Sequence, residues 1–187
     1  GLTLALDRFG TMSLADVMQP AINLAEKGIP VTQGFAESMT PGRVKRLSHW
    51  PASREKFFKS DGTVYQVGEE WRQPMLARSL VLIAEEGPAA FYNGEIAERI
   101  VDNMRTHGGL ITRSDLAVYR PIVRAPVRGW YRDHEIVSMP PPSSGGIHLI
   151  QMLNILEAFD IGAMGHNSAA SVHLATEAMK FAYADRS

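Results

Sequence analysis

The sequence has no cysteine, no long apolar run and no excess of charge of either sign. Without cysteine, these 187 residues can supply no disulfide, no thiolate metal ligand and no cysteine nucleophile. No apolar run reaches the roughly 18 residues that a membrane span needs. Nineteen Lys and Arg against twenty Asp and Glu leave a formal net charge of −1. We therefore expect no membrane span and no nucleic-acid partner, because no basic field is present to attract a polyanion.

Motifs for metals, nucleotides and a serine nucleophile are missing as well. The segment GPAAFYNG is not a phosphate-binding loop because it lacks G-x-x-x-x-G-K-[ST], and there is no G-x-S-x-G. No histidine pair has the H-x₃-H or H-E-x-x-H spacing of a zinc site. From the residues alone we expect no metal, no cofactor and no self-contained catalytic centre. The histidines concerned are His49, His107, His134, His148, His166 and His173.

Two of these histidines have an ordinary structural explanation. His134 lies between Asp133 and Glu135 at a predicted hairpin turn, where neighbouring side chains point in different directions. His148 falls on the polar side of its predicted helix together with Gln151. We therefore interpret His134 as part of a solvated turn, and His148 as a surface or interface residue rather than a general base.

The composition is 45% hydrophobic and 21% charged, with a mean hydropathy of −0.11, which is typical of a soluble globular protein. The patterns predict an α+β fold that is mainly helical. We expect one partial domain over residues 1–187, helical from 1 to 120, with a strand pair from 121 to 139 and helices from 144 to 187. The last predicted helix has no Gly or Pro to end it before Ser187. Together with the missing initiator Met, this favours a piece of a longer protein.

Local signals mark several element ends in the helical part. Ser13 is a predicted N-cap, and Gly28 is the predicted stop of the same helix. Pro20 falls inside that helical pattern and predicts a kink or a break. Thr112 and Asp115 have the spacing of a capping box.

Turn and strand signals mark the other elements. The pair Asp61-Gly62 predicts a hairpin turn. After Pro121 the pattern changes, and the β-branched and aromatic segments IVRAPVRGWY and HEIVSM predict an antiparallel pair.

The segment MPPPSSGGIHLIQMLNILEAF joins this strand pair to an apolar helix. The prolines at 140–142 must end the strand, and Ser143 or Ser144 is placed to cap the helix that follows. Gly145 and Gly146 would leave backbone N–H groups uncovered at the helix N-terminus, where the dipole favours an anion. Two interpretations stay open: a cradle for an anionic substrate group, or a rigid corner whose glycines permit close packing.

Five blocks together resemble the gamma-glutamyltranspeptidase family, within its large-subunit segment. In chain order they are GLTLALDRFGTMSLADVMQPAINLAEKG, IAEEGPAAFYNGEIAERIV, GGLITRSDLAVYR, MPPPSSGGIHLIQMLNILE and FAYADRS. The segment PPPSSGG is the most distinctive, and the resemblance is weakest from about residue 32 to 73.

The resemblance implies an N-terminal-nucleophile hydrolase fold, in which two facing sheets lie between helical layers. It implies a precursor that cleaves itself to expose a threonine at the start of a small subunit, which is the partner in the resulting heterodimer. That threonine would attack the γ-glutamyl amide of glutathione or a related compound, with its own α-amino group as base. The acyl group would then pass to water, an amino acid or a peptide. A periplasmic or secreted location is also implied.

The same resemblance places the catalytic machinery outside this sequence. The threonine would follow Ser187, and the arginine that grips the substrate α-carboxylate would precede Gly1. We therefore expect no catalytic residue here, and only Ser143, Ser144, Gly145 and Gly146 as substrate-binding candidates near the cleft. Two alternatives stay open: a cephalosporin or glutaryl acylase of the same fold, and a noncatalytic helical binding module.

Overall fold

A computed structural model describes residues 1–186. By its internal contacts the chain divides into two compact units, Gly1–Pro121 and Ile122–Ser187. Both are rich in helix, and each contains one antiparallel strand pair. The α+β, mainly helical fold class is therefore confirmed. The expectation of a single partial domain stays a prediction.

The first unit is helical except for one short strand pair. Its elements in chain order are α1 (Leu2–Phe9), α2 (Leu14–Lys27), β1 (Ile29–Pro30), α3 (Gln33–Ser38), α4 (Pro41–Ser48), α5 (Pro51–Phe57), β2 (Glu70–Trp71), α6 (Pro74–Glu86), α7 (Pro88–Tyr92), α8 (Glu95–His107) and α9 (Arg113–Val118).

Side-chain caps begin several of these helices, as the sequence indicates. The Ser13 hydroxyl accepts the Asp16 N–H at 3.1 Å at the start of α2. Thr112 and Asp115 form the predicted capping box of α9. Gly28 ends α2 with a φ of 92°, a conformation that suits glycine. The predicted break at Pro20 is wrong, because α2 continues through it as one helix.

Close helix packing and one unexpected strand pair hold the first unit together. Helix α2 packs on α6, with the small residues Ala25 and Ala77 buried. The Gln73 N–H donates to the Ala25 carbonyl at 2.8 Å, which ties the start of α6 to α2. Strands β1 and β2 pair across 40 residues, which the sequence did not indicate because each strand is only two residues long.

The second unit contains the strand pair and the apolar helices. Its elements are β3 (Val127–Tyr131), β4 (His134–Ser138), α10 (Gly145–Glu157), the one-turn helix α11 (Ile161–Met164) and α12 (Ala169–Ala184). The predicted hairpin is confirmed, with Val127 opposite Ser138 and Tyr131 opposite His134. Helix α12 ends at Ala184, so the expectation that it runs to the end of the chain is wrong.

Helix α10 lies against the hairpin and contacts it near its middle and at its C-terminal end. A Cβ added at Gly129 would lie 2.6 Å from Ile150 Cγ2, which shows how closely β3 approaches the helix. At the far end, the Arg132 N–H in the hairpin turn donates to the Glu157 carboxylate at 2.6 Å. None of the helices within residues 1–186 has the length and apolar content that a membrane crossing requires.

Candidate functional site

A cavity of about 220 Å³ lies between the first turn of α10 and the last turns of α12. It contains two of the four residues that the sequence singled out, Ser144 and Gly145. Ser143 and Gly146 are adjacent in sequence but do not line it. The lining residues are Ser144, Gly145, His148, Met152, Met179, Ala182, Tyr183 and Arg186.

Ser143 and Ser144 were both candidates for the side-chain N-cap of α10, and they differ in what their hydroxyls do. Helix α10 begins at Gly145, so Ser144 is the N-cap residue, but its own backbone is already helical and its hydroxyl caps no N–H. Ser143 instead accepts the Gly145 N–H at 3.3 Å. Ser144 is a lining residue of the cavity, and its hydroxyl is not engaged in capping α10.

The two glycines also differ. A Cβ at Gly146 would clash with the Met139 carbonyl oxygen and lie 2.6 Å from Val127 Cγ2. Gly146 is buried, and its missing side chain is what lets α10 approach the strands. A Cβ at Gly145 would meet only the Ser143 hydroxyl, at 3.5 Å. Gly146 thus supports the interpretation as a packed corner, while Gly145 leaves the helix N-terminus open at the cavity.

His148 is a cavity residue that the sequence did not single out as a site residue. It is half-buried, and its Nδ1 lies 2.5 Å from the Ser144 carbonyl oxygen. Because a carbonyl only accepts, Nδ1 carries the proton in this hydrogen bond. The i, i+4 spacing of Ser144 and His148 was the available signal, and the polar-face assignment of His148 obscured it.

Tyr183 of α12 and Arg186, which follows the end of that helix, also line the cavity. No local pattern in the sequence relates them to Ser144. The Gln151 side chain donates to the Asp185 carboxylate and joins α10 to the end of α12 on this side. In the described range 1–186, no group of three or more His, Cys, Asp or Glu is arranged to hold a metal. A guanidinium and a helix N-terminus together suit an anionic group such as a carboxylate.

Shifted pKa values elsewhere in the chain have structural causes. The Gln66 N–H and then the Lys59 ammonium, at 2.8 and 2.9 Å, hold the pKa of Glu69 below its usual range. Hydrogen bonds from the Thr112 hydroxyl and N–H do the same for the pKa of Asp115. Both carboxylates hold turns or caps in place, so their shifts do not mark an acid/base pair.

Comparison with known proteins identifies the family to which this chain is similar. Residues 1–187 match the gamma-glutamyltranspeptidase family model. The chain is 46% identical over 187 residues to the glutathione hydrolase proenzyme of Escherichia coli K12, covering 100% of this chain and 32% of that protein. It is 47% identical over 182 residues to the acylase ACY 1 proenzyme of Pseudomonas strain V22, covering 97% and 32%.

A solved structure shows the same likeness. The chain superimposes on gamma-glutamyltranspeptidase of Helicobacter pylori with a TM-score of 0.93 and 42% identity, covering 100% of this chain and 53% of that one. The fold is therefore part of an N-terminal-nucleophile hydrolase. The chain belongs to the gamma-glutamyltranspeptidase family. It spans about a third of the length of the curated relatives that it matches.

Proposed function

We propose that this chain is the large-subunit portion of a γ-glutamyl hydrolase or transferase that acts on glutathione and related γ-glutamyl compounds. The observation that carries the proposal is the 46% identity to a glutathione hydrolase proenzyme over all 187 residues. The partner is the small subunit of the same precursor, formed by self-cleavage. The location that follows from the family is periplasmic or secreted.

In this proposal the chain supports the chemistry without performing it. A threonine at the start of the small subunit attacks the γ-glutamyl amide, and its own α-amino group takes the proton. Backbone N–H donors outside this chain stabilise the oxyanion, and water or an amino acid or peptide acceptor then releases the γ-glutamyl group. The proposed contribution of Ser144 and Gly145 is to hold an anionic substrate group at the start of α10.

A second candidate is an acylase of the same fold that removes a glutaryl or cephalosporin side chain. The observation that supports it is the 47% identity over 182 residues to an acylase proenzyme, which does not favour it over the first candidate. Both enzymes would use the same self-cleavage and the same nucleophile. They differ in whether the acyl group carries an α-amino and α-carboxylate pair.

The full-length precursor tests both candidates in one preparation. We expect it to separate into two polypeptides on a denaturing gel and to hydrolyse a chromogenic γ-glutamyl anilide far faster than a glutaryl-cephalosporin. A reversed preference would establish the acylase. A precursor that stays in one piece and cleaves neither substrate would refute both. Residues 1–187 alone should turn over neither substrate.

The proposed binding role is tested by replacing Ser143 and Ser144 with alanine in that precursor. A binding role predicts a higher KM for the anilide while self-cleavage is retained. The control is Ser171→Ala, a serine of α12 whose hydroxyl donates to the Ser168 carbonyl at 3.0 Å and does not line the cavity. If the double variant matches this control in KM, the segment is architecture only.

A further inference from the structure

Helix α12 has more apolar surface than its neighbour α10 covers. It packs on α10 through the small residues Ala178 and Ala182, which are 1% and 2% exposed. Phe181 and Met179 project about 80° to either side of that line, at 100° per residue. They are 61% and 43% exposed. The apolar face of α12 is thus wider than the strip that α10 covers.

The acidic and basic side chains of α12 occupy a narrow stripe on the side away from α10. His173, Glu177 and Lys180 fall within about 60° of each other at helical spacing. Lys180 donates to both carboxylate oxygens of Glu177, at 3.0 and 2.9 Å. This stripe is the part of α12 that suits water, and Phe181 lies outside it.

On the Phe181 side, α10 and α12 form an open groove of about 510 Å³, here called the Phe181 groove. It lies apart from the cavity at the N-terminus of α10, with which it shares no residue. Ile147 at its edge is 46% exposed. None of its six lining residues is ionisable: Ile147, Ile150, Gln151, Asn154, Ile155 and Phe181. A charged partner would find nothing to pair with, whereas an apolar one would remove Phe181 and Ile147 from water.

We propose that the Phe181 groove is the docking surface for an apolar segment of the same precursor that lies outside residues 1–187. Its relatives supply such polypeptide, because the chain accounts for only 32% of the Escherichia coli proenzyme and 53% of the solved Helicobacter pylori chain. The inference rests on the proposed function, in which these residues form part of a larger enzyme. It adds the surface through which the rest of that enzyme is held.

Lys180 and Phe181 provide a matched test because they are consecutive and almost equally exposed here, at 66% for the lysine side chain and 61% for the phenylalanine. Residues 1–187 contribute no cysteine of their own, and labelling of any cysteine elsewhere in the precursor is subtracted with the unsubstituted parent protein. In the full-length precursor, F181C should react with a thiol reagent at least about 100-fold more slowly than K180C, because a covered thiol reacts only after local opening. A ratio near one, if also found at a second position in the groove, would overturn the proposal.

A large-to-small change at Phe181 can itself disturb packing, so I147C is measured beside it. We expect the same slow labelling at this second position in the groove, where the volume change is smaller. If both groove positions react as quickly as K180C in a precursor that still self-cleaves, the groove faces solvent.

A photo-crosslinker at position 181 identifies the covering segment. Benzoylphenylalanine suits this position because it retains the aromatic ring of Phe181. Mass spectrometry should find the cross-link on residues of the same precursor outside 1–187. Cross-links only to a second copy of residues 1–187, or none at all, would overturn the proposal. Neither readout depends on turnover, so a precursor with a covered groove and no γ-glutamyl activity would refute the proposed function alone.

Discussion

The two units of this chain bury different kinds of side chain. The first buries the large residues Ile22, Val31 and Phe58 to 8% exposure or less. In the second, over the described residues 122–186, nothing larger than alanine is buried to that extent, and the alanines are Ala178 and Ala182. The first unit thus has a small core of its own, whereas the second is assembled by close approach of backbones.

The difference shows what each unit needs in order to stay ordered. In the first unit, caps and amphipathic helices such as α8 satisfy polar groups locally and turn one face inward. In the second, a two-stranded hairpin, which is marginal by itself, supports α10 through the contacts at Gly129 and Gly146. Stability in the second unit therefore depends on the close fit between backbones.

The largest effect is expected at Gly146. In the full-length precursor, Gly146→Ala should lower stability by about 2 kcal/mol, the range typical of overpacking, since the new methyl would overlap the Met139 carbonyl. The measurement is the thermal unfolding midpoint, with hydrogen exchange of α10. Gly145→Ala is the control and should leave the midpoint unchanged or slightly raised, because its methyl meets nothing closer than 3.5 Å. Equal losses in both variants would contradict packing through Gly146 specifically.

A smaller effect is expected at the cap of α9 in the first unit. Thr112→Ala removes the hydroxyl that accepts the Asp115 N–H and should cost about 1 kcal/mol. Thr106→Ala serves as control, because the Thr106 hydroxyl only donates to the Asp102 carbonyl within its own helix. Hydrogen exchange of residues 113–118 should rise in the first variant alone. If these amides exchange equally fast in the two variants, the Thr112 cap does not stabilise α9, and local capping is not what distinguishes the first unit from the second.

The smallest effect is a pH dependence of the same cap. The lowered pKa of Asp115 means that its carboxylate favours the folded state. That contribution is complete above the ordinary aspartate pKa of about 4 and disappears as the pH falls through the lower folded-state value. Asp115→Asn should therefore flatten the acid-induced loss of protection of α9 amides, measured as the exchange rate relative to the intrinsic rate at each pH. A profile identical to that of the parent protein would show that the cap is insensitive to this charge.

Predictions from short-range patterns were accurate where one or two residues decide the geometry. Ser13, Gly28 and the Thr112–Asp115 pair lie at the helix ends that they indicated. The Asp61-Gly62 turn is present, with Asp61 accepting the Thr63 N–H at 2.9 Å and Gly62 at a φ of 81°. These features depend on hydrogen bonds between residues two or three positions apart, which a pattern can encode.

Errors occurred where a distant segment overrules the local preference. Pro20 lies inside an unbroken α2, a helix that packs on α6. The β1–β2 pair has strands too short to carry a pattern of their own. The distinction between Gly145 and Gly146 was also invisible in the sequence, because only the position of Met139 and Val127 makes one glycine indispensable for packing.

The amino-acid sequence by itself determined the family, the mainly helical composition, the hairpin after Pro121 and the absence of cysteine chemistry. Each depends on residue identity and short spacing along the chain. Only the tertiary structure decided that Ser144, His148, Tyr183 and Arg186 share one cavity, and that Phe181 and Ile147 share an uncovered groove. Those groupings join residues 34 to 42 positions apart in the sequence, and they arise from helix packing, which depends on shape and burial.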